Sequence, residues 1–191
     1  MFSKNKLLET IKCLDGTAFN LNYHQKRVDN SRAKLGLTGE LELELSPPKK
    51  GLFRCRVIYE NEIEQLEYIP YQQKEIKSFK LINSSISYPL KYENRDELNT
   101  LFNQRNEADE IIIVKNGLIT DSTIANLCFF DGAEWLTPKT PLLEGTTRQR
   151  YLEDKTIKTA NIYAKDLHNY SKVAMMNAMI DFYIIENVII V

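Results

Sequence analysis

Two short stretches of this chain carry residue types that could do chemistry. Thr120-Asp121-Ser122-Thr123 is a polar turn between strand-like runs, and it places one carboxylate, Asp121, among hydroxyls. Further along, Leu142-Leu143-Glu144-Gly145-Thr146-Thr147-Arg148 reads as a loop opening a helix. Gly145 lets a backbone approach an anion, and Thr146 or Thr147 can cap the helix and offer hydroxyls. Free N–H groups at such a helix start form an anion site. By residue type alone, Gly-Thr-Thr is more often a plain helix cap, and an Asp among Thr and Ser a plain turn residue. A third candidate is the alternating run Leu52–Tyr59, which puts Arg54 and Arg56 on one face. Arg54 reads as the solvent side of a hairpin. Arg56 stays open between that role and meeting a substrate carboxylate. Cys13, Cys55 and Cys128 are odd in number and lack metal-type spacing, so they read as small core residues in a reducing compartment, and no metal site is expected.

The elements around these residues follow from periodicity. Leu7–Cys13 reads as a strand, with Asp15-Gly16 turning into a second, Ala18–Leu21. Tyr23, Arg27 or Val28, Ser31 and Leu35 fall near helical spacing over residues 22–36, with Gly36 as the C-terminal stop. Gly39–Leu45 alternates and fits a strand or a helix, whereas Ser46–Gly51 is a loop. Leu52–Tyr59, with Phe53, Cys55, Val57 and Tyr59 as its apolar face, pairs with Ile63–Ile69, and Ser78–Ile82 is a further strand. A helix to about Asn103 follows, then strands at Glu110–Lys115, Asn126–Phe130 and Glu134–Leu136. Ile157–Ala164 and Lys172–Met176 read as strands, Asp166–Tyr170 as a helical turn, and Phe182–Val191 as one closing strand. The expected division is a small α+β lobe over residues 1–83 and a second lobe over residues 88–191.

Composition bounds the function. With 191 residues, 43% of them hydrophobic and 27% charged, the chain can bury a real core. A net charge of −1 gives no broad attraction to nucleic acid or to an anionic membrane, so neither is expected as a partner. No apolar run approaches a membrane span, and Met1–Lys6 lacks the apolar core of a signal peptide. A cytoplasmic protein acting on a small molecule is the expectation.

The order Asp121-x4-Asn126, Phe129-Phe130-Asp131-Gly132, Trp135-Leu136-Thr137-Pro138, Leu142-Leu143-x-Gly145-x2-Arg148 resembles the class IV pyridoxal-phosphate aminotransferases. That family includes branched-chain and D-amino acid aminotransferases and 4-amino-4-deoxychorismate lyase. Two further motifs carry the resemblance: His24-x2-Arg27 at a helix start, and Lys91-x2-Asn94-Arg95. The resemblance implies an α+β, two-lobe fold: a small α/β sandwich lobe, a larger β-barrel-like lobe, and the cofactor site between them. It implies pyridoxal 5'-phosphate as cofactor, with Lys91 as the lysine that attaches it and moves protons at the substrate carbon. Asp121 would face the pyridine nitrogen, where the family usually has Glu. Asn126 falls within the same motif. Arg27, Thr146 and Thr147 would hold the phosphate, a guanidinium suiting that task through its planar fork. Arg56 and Arg95 are the candidates for the substrate carboxylate.

The reaction implied is that of 4-amino-4-deoxychorismate lyase, releasing pyruvate and forming 4-aminobenzoate. The alternatives are a branched-chain or D-amino acid aminotransferase, and a cofactor-binding homologue without turnover. The substrate would be an amine or amino acid. A homodimer is implied by resemblance as well. Leu8-Glu9-Thr10-Ile11-Lys12 resembles a family strand that usually follows a few dozen further residues, so a substrate pocket that is incomplete or built differently is expected here.

Overall fold

The computed structural model describes residues 6–191, and the Met1–Asn5 part of the stretch read for a signal lies outside the described residues. The chain forms two compact units: one up to Gln73 together with Leu90–Asn94, the other Lys74–Pro89 with Arg95–Val191. The expected break between residues 83 and 88 is therefore drawn differently. The strand at Ser78–Asn83 pairs with Glu110–Lys115 of the second unit, while Leu8 N–H donates to Lys91 O at 2.8 Å in the first.

The first unit is an antiparallel sheet, β2-β1-β3-β4, built from β1 (Leu7–Leu14), β2 (Thr17–Ala18), β3 (Leu52–Tyr59) and β4 (Ile63–Pro70), with one helix, α1 (Leu21–Lys34). The second strand is shorter than its alternation suggests because Asn20 takes a left-handed φ of 52° and starts the helix at Leu21. Gly36 ends the helix as expected: at φ 70° it lets Gly36 N–H reach Ala33 O and Leu37 N–H reach Arg32 O, a Schellman closure. Phe53, Cys55, Val57 and Tyr59 all pack in one core with Leu7, Ile11, Cys13 and Val28. Residues 39–45 are neither strand nor helix. The Gln25 side chain donates to Leu41 O at 2.7 Å and accepts from Leu43 N–H at 2.8 Å, so it takes the place of a neighbouring strand while Leu43 is buried.

The second unit contains β5 (Ser78–Asn83), α2 (Asp96–Phe102), β6 (Glu110–Lys115), β7 (Leu118–Ile119), β8 (Asn126–Phe130), β9 (Trp135–Pro138), α3 (Thr146–Glu153), β10 (Ile157–Ala160), β11 (Lys172–Asn177), β12 (Asp181–Ile185) and β13 (Ile189–Ile190). They form two sheets, β13-β5-β6-β7 and β10-β9-β8-β11-β12. One core lies between the sheets, with Phe79, Ile112 and Val114 facing Leu127, Phe129, Val173 and Met175. β6 is buried on both faces, as its unbroken apolar run and its parallel pairing with β5 require. The closing segment is not one strand: Asn187 at φ 53° breaks it, and β12 and β13 join different sheets. β10 ends at Ala160, and residues 164–169 form a 3₁₀ helix.

Phe129 is fully buried at the centre of this core, and its ring packs against that of Tyr170 with centroids 5.5 Å apart and planes tilted by 56°. Phe129→Ala is expected to lower the unfolding free energy by about 3–5 kcal/mol, as read from denaturant unfolding curves.

Candidate functional site

In the second unit the local fold fixes Asp121. Ile113 N–H donates to Asp121 O at 2.9 Å, and Ser122 N–H donates to Ala125 O at 3.0 Å, so the chain leaves β7, turns tightly and enters β8 at Asn126. The Asp121 side chain is 4% exposed. Its Oδ1 accepts from Asn126 Nδ2 at 2.8 Å and its Oδ2 from Leu143 N–H at 2.9 Å. Burial raises its pKa to about 6, although those two bonds and the charge of Arg148 oppose the rise. Each carboxylate oxygen keeps capacity for a further donor.

The same Asn126 amide also donates to Leu143 O at 2.8 Å. A side chain at Gly145 would put its Cβ 2.1 Å from Asn126 Oδ1, so only glycine fits there. Gly145 adopts extended backbone as the cap residue of α3, and no side chain caps that helix. Thr146 and Thr147 stand buried in its first turn. An uncapped helix start, two hydroxyls and a backbone drawn tight against Asn126 are what a phosphate needs.

In the first unit the sequence-predicted Arg27 lies beside a residue that sequence reasoning gave no role. Glu9 is fully buried on β1 and receives Arg27 Nε at 2.7 Å and Nη2 at 2.6 Å. His24 Nδ1 lies 2.5 Å from Glu9 Oε2. Burial alone would raise the Glu9 pKa, but the Arg27 charge and the bonds from His24 and Arg27 hold it down to about 2. Burial lowers the His24 pKa against the pull of Glu9, and the charges of Arg27 and Lys91 lower it further. Neutral His24 thus donates Nδ1–H to ionised Glu9. Half-buried Lys91 is set on the edge of β1 through its carbonyl and the Leu7–Tyr92 bridge, near enough for its charge to act on His24.

Arg56 and Arg95, the expected substrate arginines, each have protein partners. Arg56 pairs with Glu93 at 3.6 Å and with Glu67, its cross-strand neighbour, at 4.0 Å. Arg95 Nη2 donates to Thr123 O at 2.7 Å. Thr123 Oγ1 in turn donates to Glu110, a buried carboxylate whose pKa burial raises. Glu110 was legible only as the start of a strand. A cavity of about 350 Å³ in this unit borders Thr120, Thr140 and Leu142 but none of the site residues expected from the sequence. Among the described residues no three His, Cys, Asp or Glu side chains converge as metal ligands.

The pattern of the family described as amino-transferase class IV matches residues 90–188. An uncharacterized protein of Haemophilus influenzae is 39% identical over 182 residues, covering 91% of this chain and 97% of the relative. The chain belongs to the class IV aminotransferase family. A crystal structure from Haemophilus somnus 129pt, of a candidate 4-amino-4-deoxychorismate lyase, is 37% identical, covers 94% of this chain and 98% of its own, and superposes with a TM-score of 0.83. A hypothetical aminotransferase of Mycobacterium tuberculosis in its PLP-bound form is 15% identical, covers 97% of this chain and 82% of its own, and shares the fold at a TM-score of 0.78.

Asp121 and the start of α3 have the chemistry that pyridoxal phosphate would require. Asp121 is a buried carboxylate with no cation in its hydrogen-bond shell, a setting that favours a protonated ring nitrogen as partner. The start of α3 offers the phosphate its donors.

Because burial raises the pKa of Asp121, its proton couples folding to pH. The folded state holds this proton after the unfolded chain has released it, so the Asp121 contribution is full below about pH 4 and is lost as pH rises through about 6. Asp121→Asn removes that slope. Between pH 4 and 7, the unfolding free energy of cofactor-free Asp121→Asn should gain on wild type by on the order of 2–3 kcal/mol, whatever constant offset the amide brings.

Proposed function

We propose that this class IV chain is a pyridoxal-phosphate-dependent lyase of the 4-amino-4-deoxychorismate lyase type. The observation that carries the reading is the pairing of a buried Asp121, without a cationic partner in its hydrogen bonds, with the uncapped, Thr-lined start of α3, both held by Asn126. The choice of a lyase rests on the 37% identity to the Haemophilus somnus 129pt protein.

When bound, pyridoxal phosphate supplies an aldehyde that takes up the substrate amine and a ring that accepts electrons from the adjacent carbon. The residues divide the remaining work. Thr146 and Thr147, with the first N–H groups of α3 and with Arg27, bind the phosphate. Asp121 holds a proton at the ring nitrogen. Lys91 would hold the cofactor aldehyde and, once the substrate amine has replaced it there, would take the proton from the carbon that bears nitrogen. Loss of that proton would let the ring C–O bond break, so that the side chain leaves as enolpyruvate, takes up a proton to become pyruvate, and leaves the ring aromatic as 4-aminobenzoate.

Membership of the family also supports a branched-chain or D-amino acid aminotransferase, in which Lys91 would carry the same proton to the cofactor instead. We take the chain to act on a small amine or amino acid as a homodimer, as the family resemblance implies, and its three buried free thiols support a reducing compartment such as the cytoplasm.

Incubating the protein with pyridoxal phosphate and 4-amino-4-deoxychorismate should release pyruvate and 4-aminobenzoate in equal amounts without an added keto acid. Lys91→Ala should release neither. Amino transfer that requires a keto acid would identify the aminotransferase instead, and bound cofactor without either product would identify an idle homologue.

A further inference from the structure

Glu9 is a fully buried carboxylate that the proposed reaction does not use. It lies on the face of β1 that also carries Leu7, Ile11 and Cys13, each of them fully buried. A charge on an apolar strand face needs partners, and α1 supplies them from positions 24 and 27, one turn apart. The Arg27 fork meets Glu9 through its Nε and Nη2, which fixes the guanidinium plane as well as its position. His24 donates into Oε2, the oxygen that also accepts Nη2, so the carboxylate cannot swing away from the fork.

We infer that Glu9 is a positioning residue, which with His24 holds the Arg27 guanidinium in the orientation that receives the cofactor phosphate. This rests on the reading of Arg27 as a phosphate-binding residue. Charge alone predicts the opposite effect. A carboxylate beside a phosphate-binding arginine repels the phosphate, so removing its charge would tighten binding if attraction were all that mattered. A long side chain without its partner must instead be ordered at the moment of binding, which costs about three- to tenfold in affinity. Glu9 acts through order, and its removal weakens binding.

The test compares dissociation constants for pyridoxal phosphate and for pyridoxal, which lacks the phosphate, by equilibrium fluorescence titration. Their ratio measures the phosphate preference. Glu9→Gln should reduce that preference about three- to tenfold while leaving the pyridoxal constant in place. Arg27→Gln should reduce it at least as much, and the double variant no further than Arg27→Gln alone. His24→Asn, whose amide can replace the Nδ1–H donor, should keep most of the preference. Thermal melts identify variants that fold. If Glu9→Gln does not, Glu9→Asp carries the same test, because it keeps the charge and draws the carboxylate back by one methylene. An unchanged or increased preference in the Glu9 variant, with a loss in Arg27→Gln, overturns the role of Glu9 alone. A wild type that binds both ligands equally, or an Arg27→Gln variant that keeps the preference, overturns the phosphate reading of Arg27 and this role with it.

Discussion

The amide of Asn126 is the contact on which the second unit's site depends. Its Nδ2 donates both to the Asp121 carboxylate and to Leu143 O, and its Oδ1 abuts Gly145. Leu143 N–H returns to the other Asp121 oxygen. One buried side chain therefore joins the turn between β7 and β8 to the loop that opens α3. The buried carboxylate and the start of α3 are placed by the same bond set, and neither could move without breaking a buried hydrogen bond. The glycine follows from this closeness, since any side chain would displace the amide.

The two buried carboxylates show how environment divides roles. Glu9 and Asp121 are both inaccessible, and burial pushes both toward the neutral acid. Glu9 has a guanidinium in direct contact and stays ionised far below neutral pH. Asp121 has only neutral donors, while Arg148, whose charge reaches it, spends a hydrogen bond on Pro138 O. Glu9 is thus a completed ion pair and Asp121 an incomplete one. An incomplete pair inside a protein is a setting for a cationic ligand group.

Much of this was legible in the sequence. The two-faced alternation of β3, the stop at Gly36 and the polar turn at Asp121 each depend on neighbours in the chain, and each was readable from local pattern. Lys91 was not: no local feature separates it from other lysines, and only the family motif singled it out. Arg56 and Arg95 were read as meeting a substrate, and the partners seen are Glu67 and Glu93 for one and Thr123 O for the other. Those partners come from a neighbouring strand, from a segment that rejoins the first unit, and from a turn far along the chain. The Glu9 pair was hidden for the same reason, although a carboxylate alternating with Leu7, Ile11 and Cys13 was its visible trace. Splitting of the last segment at Asn187 turns on a left-handed backbone that composition does not announce.

The central claim is that this family member carries pyridoxal phosphate on Lys91. The most direct measurement is borohydride reduction of the protein loaded with pyridoxal phosphate, followed by proteolysis and mass spectrometry of the peptides. The account predicts a single pyridoxyl-modified peptide, the one that contains Lys91. Modification spread over surface lysines, or concentrated on a different one, would contradict it.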